Sequence, residues 1–418
     1  PGALRFARFG ELVEGRRGVL QGLVGLESLG EDRLRQLLGD HLGKAGDREL
    51  HVVLLQSVLE HQPAVGAGGY QGVRVDLVEL GLLAREDLQP QFVGPRITAD
   101  AAAAAGGITS FMDMPNVSPQ TTTLTALADK YAVAADRCTG NYGFYLGATN
   151  SNIDEVKALQ VGEACGIKAF MGASTGDMLV DDPDTLDKLF EHAPVMVVTH
   201  CEDSPMIWAN EARAKEKYGD DVPLTEHPRI RSAEACLKSS TLATGLARKH
   251  DALLHVLHLT TAIEMDLFSP AHRSEKRITA EVCVHHLWFD ESRYEELGTR
   301  IKCNPAIKRA ADREALVTAL NDGRIDVVAT DHAPHTADEK DNPYFKAPAG
   351  LPLVQHALLV LLDLAARGEI SRELIVDRAC HAPADLFGVQ ERLAKAVRDE
   401  LAGARTFLCR PRDDRRAK

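Results

Sequence analysis

Residues able to bind a metal ion or transfer a proton recur where apolar, β-branched runs of the chain end. Lys168 lies inside one such run, His200 and His258 each close another, and Asp331 follows a fourth. Imidazole and carboxylate groups are ligands of zinc in catalytic sites that keep a position open for water. Each residue alone could have a plainer role, since a lone histidine is often structural and Asp331 could cap a helix. Together they predict a metal centre.

The elements that would position these side chains alternate along the chain between strand-like and helical runs. This alternation is typical of βα units and a parallel sheet. Helices are expected over 123–136, 184–191 and 232–249. Strands are expected over 108–113, 142–147, 166–170, 194–199, 253–258, 278–284 and 325–330. A (β/α)8 barrel carries its catalytic residues at the carboxyl ends of eight strands, and only seven are found, so the first strand is expected to be missing or corrupted.

Composition excludes several classes of function. The net charge of −13 argues against a nucleic-acid partner, and no apolar run approaches the length of a membrane span. The eight cysteines are scattered singly, without a CxxC pair. We therefore expect reduced, mostly buried thiols in a cytoplasmic protein that acts on a small molecule.

Composition also divides the chain into three segments. Residues 1–96 contain no Ile, Thr, Asn, Met, Cys or Trp, and Lys44 is their only lysine. A linker is disfavoured by apolar runs such as the one at 51–55. A genuine extra domain and a frameshifted or misassembled start remain open, and we take the last as the working hypothesis. Residues 97–388 form the expected barrel. Residues 389–418 end in a charge run typical of a solvated tail.

Six phrases in order resemble the amidohydrolase superfamily and, within it, the dihydroorotases. The resemblance covers about 290 residues, roughly 97–388. It rests on GGITSFMDMPN at 106–116, GIKAFMG at 166–172, THCED at 199–203, HVLHLTT at 255–261, KCNPAIK at 302–308 and TDHAPH at 330–335. The fold it implies is an α/β barrel of the TIM type found in metal-dependent hydrolases.

The resemblance also implies a site with two zinc ions. Lys168, after reaction with carbon dioxide, would bridge them as a carbamate. His200 and His258 would hold the second zinc, and Asp331 would bind the first and serve as base and then acid. Asn116, Asn304 and His335 would hold the substrate, beside a loop at 349–352. A structural role is expected for the histidines at 255, 285, 286, 332 and 381.

The implied reaction is the reversible hydrolysis of dihydroorotate to N-carbamoyl-L-aspartate in pyrimidine biosynthesis. Self-association is expected from the resemblance alone. One departure matters, because the family's first strand ends in His-x-His, which supplies two ligands of the first metal. No His-x-His occurs in this sequence, and His41, His51 and His61 are single. We therefore expect poor zinc binding at the first site and little or no activity.

Two alternatives remain open. Another cyclic amidase, such as an allantoinase or dihydropyrimidinase, shares the lysine, histidine and aspartate frame. A non-catalytic dihydroorotase-like subunit that scaffolds aspartate transcarbamoylase would share the fold, although such proteins lack the metal ligands that remain here. The third alternative is a barrel in which polar residues stand at the strand ends by chance. Six sequence motifs in the family's order argue against it.

Overall fold

The computed structural model describes residues 94–135, 137–138, 140–172 and 178–388, the first five of them as backbone only. All of these described residues belong to one compact unit. The expectations for 1–96 and 389–418 lie outside the described residues, except that the first helix already begins at Gly94. In the portion described, no helix has both the length and the apolar character needed to cross a membrane.

The strands lie where β-branched and apolar runs predict them. All seven expected strands are present within three residues at each end, and the second is broken in two at Tyr145. Their bounds are β1 Ser110–Asp113, β2 Asn141–Phe144, β3 Leu146–Gly147, β4 Ile167–Phe170, β5 Val197–His200, β6 Leu254–Val256, β7 Ile278–Cys283 and β8 Val327–Ala329.

The strands are parallel throughout and follow chain order. β1 pairs with β2, and β3 to β8 form a six-stranded sheet. The chain passes from one sheet to the other at Tyr145, whose N–H donates to the Asp113 carbonyl at 3.3 Å, while the next residue, Leu146, donates to Gly166 at 3.1 Å. Among the described residues neither β1 nor β8 has a partner on its outer side. The barrel is therefore open at one place, as seven strands predict.

Helices cover the strands on the outside, and the three expected ones are confirmed within one residue at each end. The helices are α1 Gly94–Ala105, α2 Leu124–Ala135, α3 Ile153–Ala158, α4 Pro183–His192, α5 Ser204–Tyr218, α6 His227–Ile230, α7 Ala233–His250, α8 Val284–Trp288, α9 Tyr294–Leu297, α10 Ala310–Asp322, α11 Ala337–Lys340, α12 Ala357–Ala366, α13 Arg372–Val376 and α14 Ala382–Leu386. Asp182 and Ser232 cap α4 and α7, respectively, because their side chains accept hydrogen bonds from backbone N–H groups of the first turn. These N–H groups would otherwise have no partner within the helix.

The central strands are buried on both faces, as expected of parallel sheets covered by helices. Every residue of β4 and β5 is buried. The register places Lys168 opposite Val198 and Phe170 opposite His200. Because side chains two apart share a face, Lys168 and His200 lie on the same side of neighbouring strands. The sheet thus positions the first two members of the expected site.

Candidate metal centre

Two buried histidines face each other at the carboxyl ends of β5 and β6. Nδ1 of His200 lies 3.0 Å from Nε2 of His258. The other nitrogen of His200 lies 2.8 Å from the Glu202 carboxylate, and Arg231 forms a salt bridge with the same carboxylate. A carboxylate that accepts from the far nitrogen fixes a histidine's tautomer and orientation. His200 is therefore held with Nδ1 unprotonated and aimed at His258.

The electrostatics of this pair fit a cation between the rings. Burial lowers the pKa of His200 and takes the pKa of His258 well below its usual range, so both imidazoles are neutral. Neutral imidazole is the form that binds metal. Nδ1 of His258 is buried without a hydrogen-bond partner. The donor set is thus suited to zinc.

Lys168 lies inside the barrel with 2% of its surface exposed. Desolvation lowers the pKa of its ammonium from 10.5 to about 8, against the opposing charges of Asp331 and Glu281. Its Nζ lies 4.4 Å from the centroid of the Phe170 ring. A shift of that size raises the neutral amine fraction at neutral pH roughly 300-fold. A neutral amine is what reaction with carbon dioxide requires.

Asp331 follows β8 and has a positive φ of 46°; φ of His258 is 38°. Such backbone is uncommon for residues other than glycine and clusters at functional sites. A helix-capping role for Asp331 does not hold, because Thr336 caps α11 in a capping box with Glu339. Asp331 keeps exposed surface at the barrel mouth, yet desolvation by surrounding protein raises its pKa to about 6.

The three residues expected to hold substrate all lie beyond strand ends. Asn116 is exposed after β1, whereas Asn304 and His335 are half-buried. Oδ1 of Asn304 has no hydrogen-bond partner. A Cβ placed on Gly350 would come within 3.2 Å of the His335 ring, so the loop at 349–352 contacts His335. The Gly350 N–H donates to the Lys302 carbonyl at 2.9 Å, which ties that loop to the segment carrying Asn304.

Sequence reasoning missed three charged residues of the site. Glu202 and Arg231 orient His200, and Glu281 interacts electrostatically with Lys168 and Asp331. Glu202 stands two residues after His200, a spacing that could have suggested it. Arg231 is 29 residues from Glu202, and no local pattern marks it.

The histidines expected to be structural differ in whether their ring nitrogens have hydrogen-bond partners. His255 bonds to Thr279 at 2.8 Å and to Glu281 at 3.2 Å, and Nδ1 of His332 accepts two backbone N–H groups. These contacts support a structural role. His285 has no partner on either nitrogen, so a structural role does not account for it.

An open barrel of parallel strands whose ends carry paired imidazoles, a buried lysine and a strained aspartate is the arrangement of a metal-dependent hydrolase. Comparison with known proteins agrees. The chain is 34% identical over 324 residues to an allantoinase from Streptomyces avermitilis, which covers 75% of this chain and 72% of the relative. It is 34% identical over 297 residues to a dihydroorotase from Halobacterium salinarum, covering 70% and 66%. The chain therefore belongs to the cyclic-amidase family of the amidohydrolase superfamily.

Solved structures agree on the fold. An L-hydantoinase (dihydropyrimidinase) from Arthrobacter aurescens matches with a TM-score of 0.66 and 26% identity, over 70% of this chain and 66% of that one. A dihydropyrimidinase from Brevibacillus agri matches with a TM-score of 0.63 and 24% identity, over 71% and 66%. No family model matches the chain. The match spans about two thirds of the length of the Halobacterium and Arthrobacter proteins.

Proposed function

We propose that this chain carries the catalytic barrel of a dihydroorotase, which hydrolyses the cyclic amide dihydroorotate reversibly to N-carbamoyl-L-aspartate. The observation that carries the proposal is the 3.0 Å approach of His200 to His258, with His200 at the end of the strand that pairs with the one bearing buried Lys168. A dihydroorotase from Halobacterium salinarum is among the relatives at 34% identity. The phrases at 113–116 and 331–335 favour a substrate that bears a carboxylate.

In this proposal different side chains bind different metal ions. Lys168 would add to carbon dioxide through its neutral amine and lose a proton, which would leave an anionic carbamate suited to holding metal. His200 and His258 would hold one zinc ion, and Asp331 would hold the other. When bound, zinc lowers the pKa of water toward neutrality and polarises the ring carbonyl of the substrate.

Asp331 moves the proton. Its carboxylate accepts a proton from the attacking water and delivers it to the ring nitrogen that leaves. In the metal-free protein desolvation raises the pKa of Asp331 above the usual value for aspartate, which is the direction that suits an acid–base group working near neutral pH. Asn116, Asn304 and His335 bind the substrate carboxylate and ring amide. Among the described residues no disulfide joins two cysteines, which supports a cytoplasmic location.

The same proposal predicts weak activity for the chain as it stands. Two ligands of the first zinc ion would come from a His-x-His after the first strand, and the sequence contains no such pair. Without them, only Lys168 and Asp331 remain for that ion. The open edge between β8 and β1 is where that strand would lie.

The second candidate is another cyclic amidase. The Streptomyces relative is named an allantoinase at the same 34% identity and over more of the chain. Allantoin and dihydrouracil are cyclic amides, and the lysine, histidine and aspartate frame would serve them equally. A non-catalytic scaffold for aspartate transcarbamoylase is disfavoured, because Lys168, His200, His258 and Asp331 are all retained in a site suited to metal.

Substrate choice tests the proposal. A version of the chain supplied with a first strand ending in His-x-His is loaded with zinc and bicarbonate and given dihydroorotate, allantoin and dihydrouracil in parallel. We expect turnover of dihydroorotate to exceed that of the other two at least tenfold, and to vanish in Asp331→Ala. Preference for allantoin or dihydrouracil would replace the dihydroorotase assignment. Absence of all turnover, with co-purification of a transcarbamoylase, would move the scaffold hypothesis ahead.

A further inference from the structure

A second cluster of metal-binding side chains lies where β7 passes into α8. Cys283 ends the strand, and His285 and His286 lie in the short helix that follows. All three are buried, with at most 2% of their surface exposed. One donor atom from each, the Cys283 Sγ and a nitrogen of each ring, lies within 4.8 Å of the other two. A single ion could therefore contact all three.

The hydrogen bonds of this cluster are incomplete. Neither nitrogen of His285 has a partner, and Nδ1 of His286 has none, while Nε2 of His286 lies 3.1 Å from the Pro305 carbonyl. A buried polar atom left unpaired is destabilising, and native proteins contain few of them. His255, buried in the same barrel, has both nitrogens satisfied. An ion would satisfy one nitrogen of His285 and Nδ1 of His286 together.

The chemistry of the three side chains is that of a soft metal site. Burial lowers the pKa of His285 to about 3, so its imidazole is neutral and offers a lone pair. Because Nε2 of His286 faces a carbonyl oxygen, which only accepts, that nitrogen carries the proton and Nδ1 is free to bind. One sulfur and two imidazole nitrogens match three of the four ligands of tetrahedral zinc.

We propose that Cys283, His285 and His286 form a separate binding site for zinc or a similarly thiophilic divalent ion. Binding breaks the S–H bond of Cys283, forms a metal–sulfur bond and releases one proton to solvent. The site is distinct from the Lys168, His200, His258 and Asp331 centre in its ligands. Cys283 interacts electrostatically with Lys168 and Asp331, so an ion here would also add positive charge near that centre.

Because both sites would take zinc, the test needs a signal that only sulfur gives. Cobalt(II) is titrated into the metal-free full-length chain, and thiolate-to-cobalt charge transfer is followed in the near ultraviolet. The proposed catalytic centre has only nitrogen and oxygen ligands and gives no such band. Zinc added afterwards should abolish the band, and X-ray absorption of the zinc form should show a sulfur neighbour at about 2.3 Å.

The variants decide the assignment. We expect the band in the wild type, its loss in Cys283→Ser, and at least a tenfold weaker cobalt affinity in His285→Gln. Cys165→Ser, which alters another buried thiol, should keep the band. Asp331→Asn should keep it too, because Asp331 belongs only to the proposed catalytic centre, so failure of the proposed function would not be mistaken for failure of this site. No band in the wild type, or a band that persists in Cys283→Ser, would overturn the proposal whether or not the other variants fold.

Discussion

Nδ1 of His200 lies 3.0 Å from Nε2 of His258, although the two residues are 58 positions apart in the chain. Neighbouring parallel strands bring them together. Glu202 accepts from the far nitrogen of His200, and Arg231 neutralises Glu202. Burial alone would raise the pKa of Glu202, yet Arg231 and His200 lower it to about 2. A chain of three side chains thus holds one ring nitrogen toward the ion site.

Glu202→Gln tests that chain. The amide cannot carry the charge that orients His200, and it removes the ion pair between residue 202 and Arg231. We expect zinc affinity to fall about 10- to 100-fold and the free energy of unfolding to fall by about 3 kcal/mol. Competition with a chelating dye measures the affinity, and urea denaturation measures the stability. Asp203→Asn is the matched control, because Asp203 caps α5. An unchanged zinc affinity in Glu202→Gln would contradict the orienting role of Glu202.

Lys168 is expected to carry carbon dioxide. With ¹³C-labelled bicarbonate and zinc, a carbamate carbon resonance should appear in the wild type and be absent in Lys168→Arg, whose side chain keeps its proton. Because the pKa of Lys168 is about 8, the resonance should grow as pH rises toward that value. Its persistence in Lys168→Arg would place the carbamate on another lysine, and its absence from the wild type would remove the proposed bridge.

Buried histidines should make the metal-free protein sensitive to acid. His227 lies 2.8 Å from both the Tyr344 hydroxyl and the Cys303 carbonyl, and burial takes its pKa well below 6.5. Below pH 6.5 the His227 side chain binds a proton in the unfolded chain but stays neutral in the folded protein. The contribution of His227 to the free energy of unfolding is therefore fully present above pH 6.5 and is lost as the pH falls. We expect His227→Gln to reduce the slope of unfolding free energy against pH by up to about 1.4 kcal/mol per unit below pH 6.5.

Denaturation in urea across a pH series, without metal, measures that slope. The substitution itself costs stability at every pH, since it disturbs two hydrogen bonds, so only the slope is diagnostic. Equal slopes in the wild type and His227→Gln would show that the folded protein protonates His227 as readily as the unfolded chain does.

Gly350 holds the loop that contacts His335. Its φ is 144°, and a Cβ there would lie 2.4 Å from the Ala333 carbonyl oxygen. Gly350→Ala should therefore destabilise the protein by more than about 1 kcal/mol and raise KM more than it lowers kcat in any active form. Gly245→Ala, in α7 with open space around the new methyl, should stabilise by about 0.5 to 1 kcal/mol. Thermal unfolding of both variants checks the contrast.

The strands and the positions of the candidate ion-site residues could be predicted because their signals are local. Ile167 to Phe170 is apolar apart from Lys168, and a charged side chain is seldom placed inside a buried run for packing alone. The contact between Glu202 and Arg231, which orients His200, could not be predicted, because Arg231 meets Glu202 only after β5, α5 and α6 have folded. The sequence also could not predict that the ring nitrogens of His285 lack hydrogen-bond partners. A histidine near a strand end is most often hydrogen-bonded to neighbours in the fold, and the sequence does not show which neighbours these are. The open edge beside β8 follows from counting strands.

Dihydroorotate hydrolysis, with zinc and bicarbonate supplied, decides whether this barrel is an amidase limited by its first strand. The unaltered chain, a version with a first strand ending in His-x-His, and that version carrying Asp331→Asn are compared. We predict turnover close to background in the first, clear turnover in the second and its loss in the third. Equal turnover in the first two would show that the site assembles without His-x-His, and no turnover in the second, with zinc bound, would contradict the assignment of this barrel as a dihydroorotase.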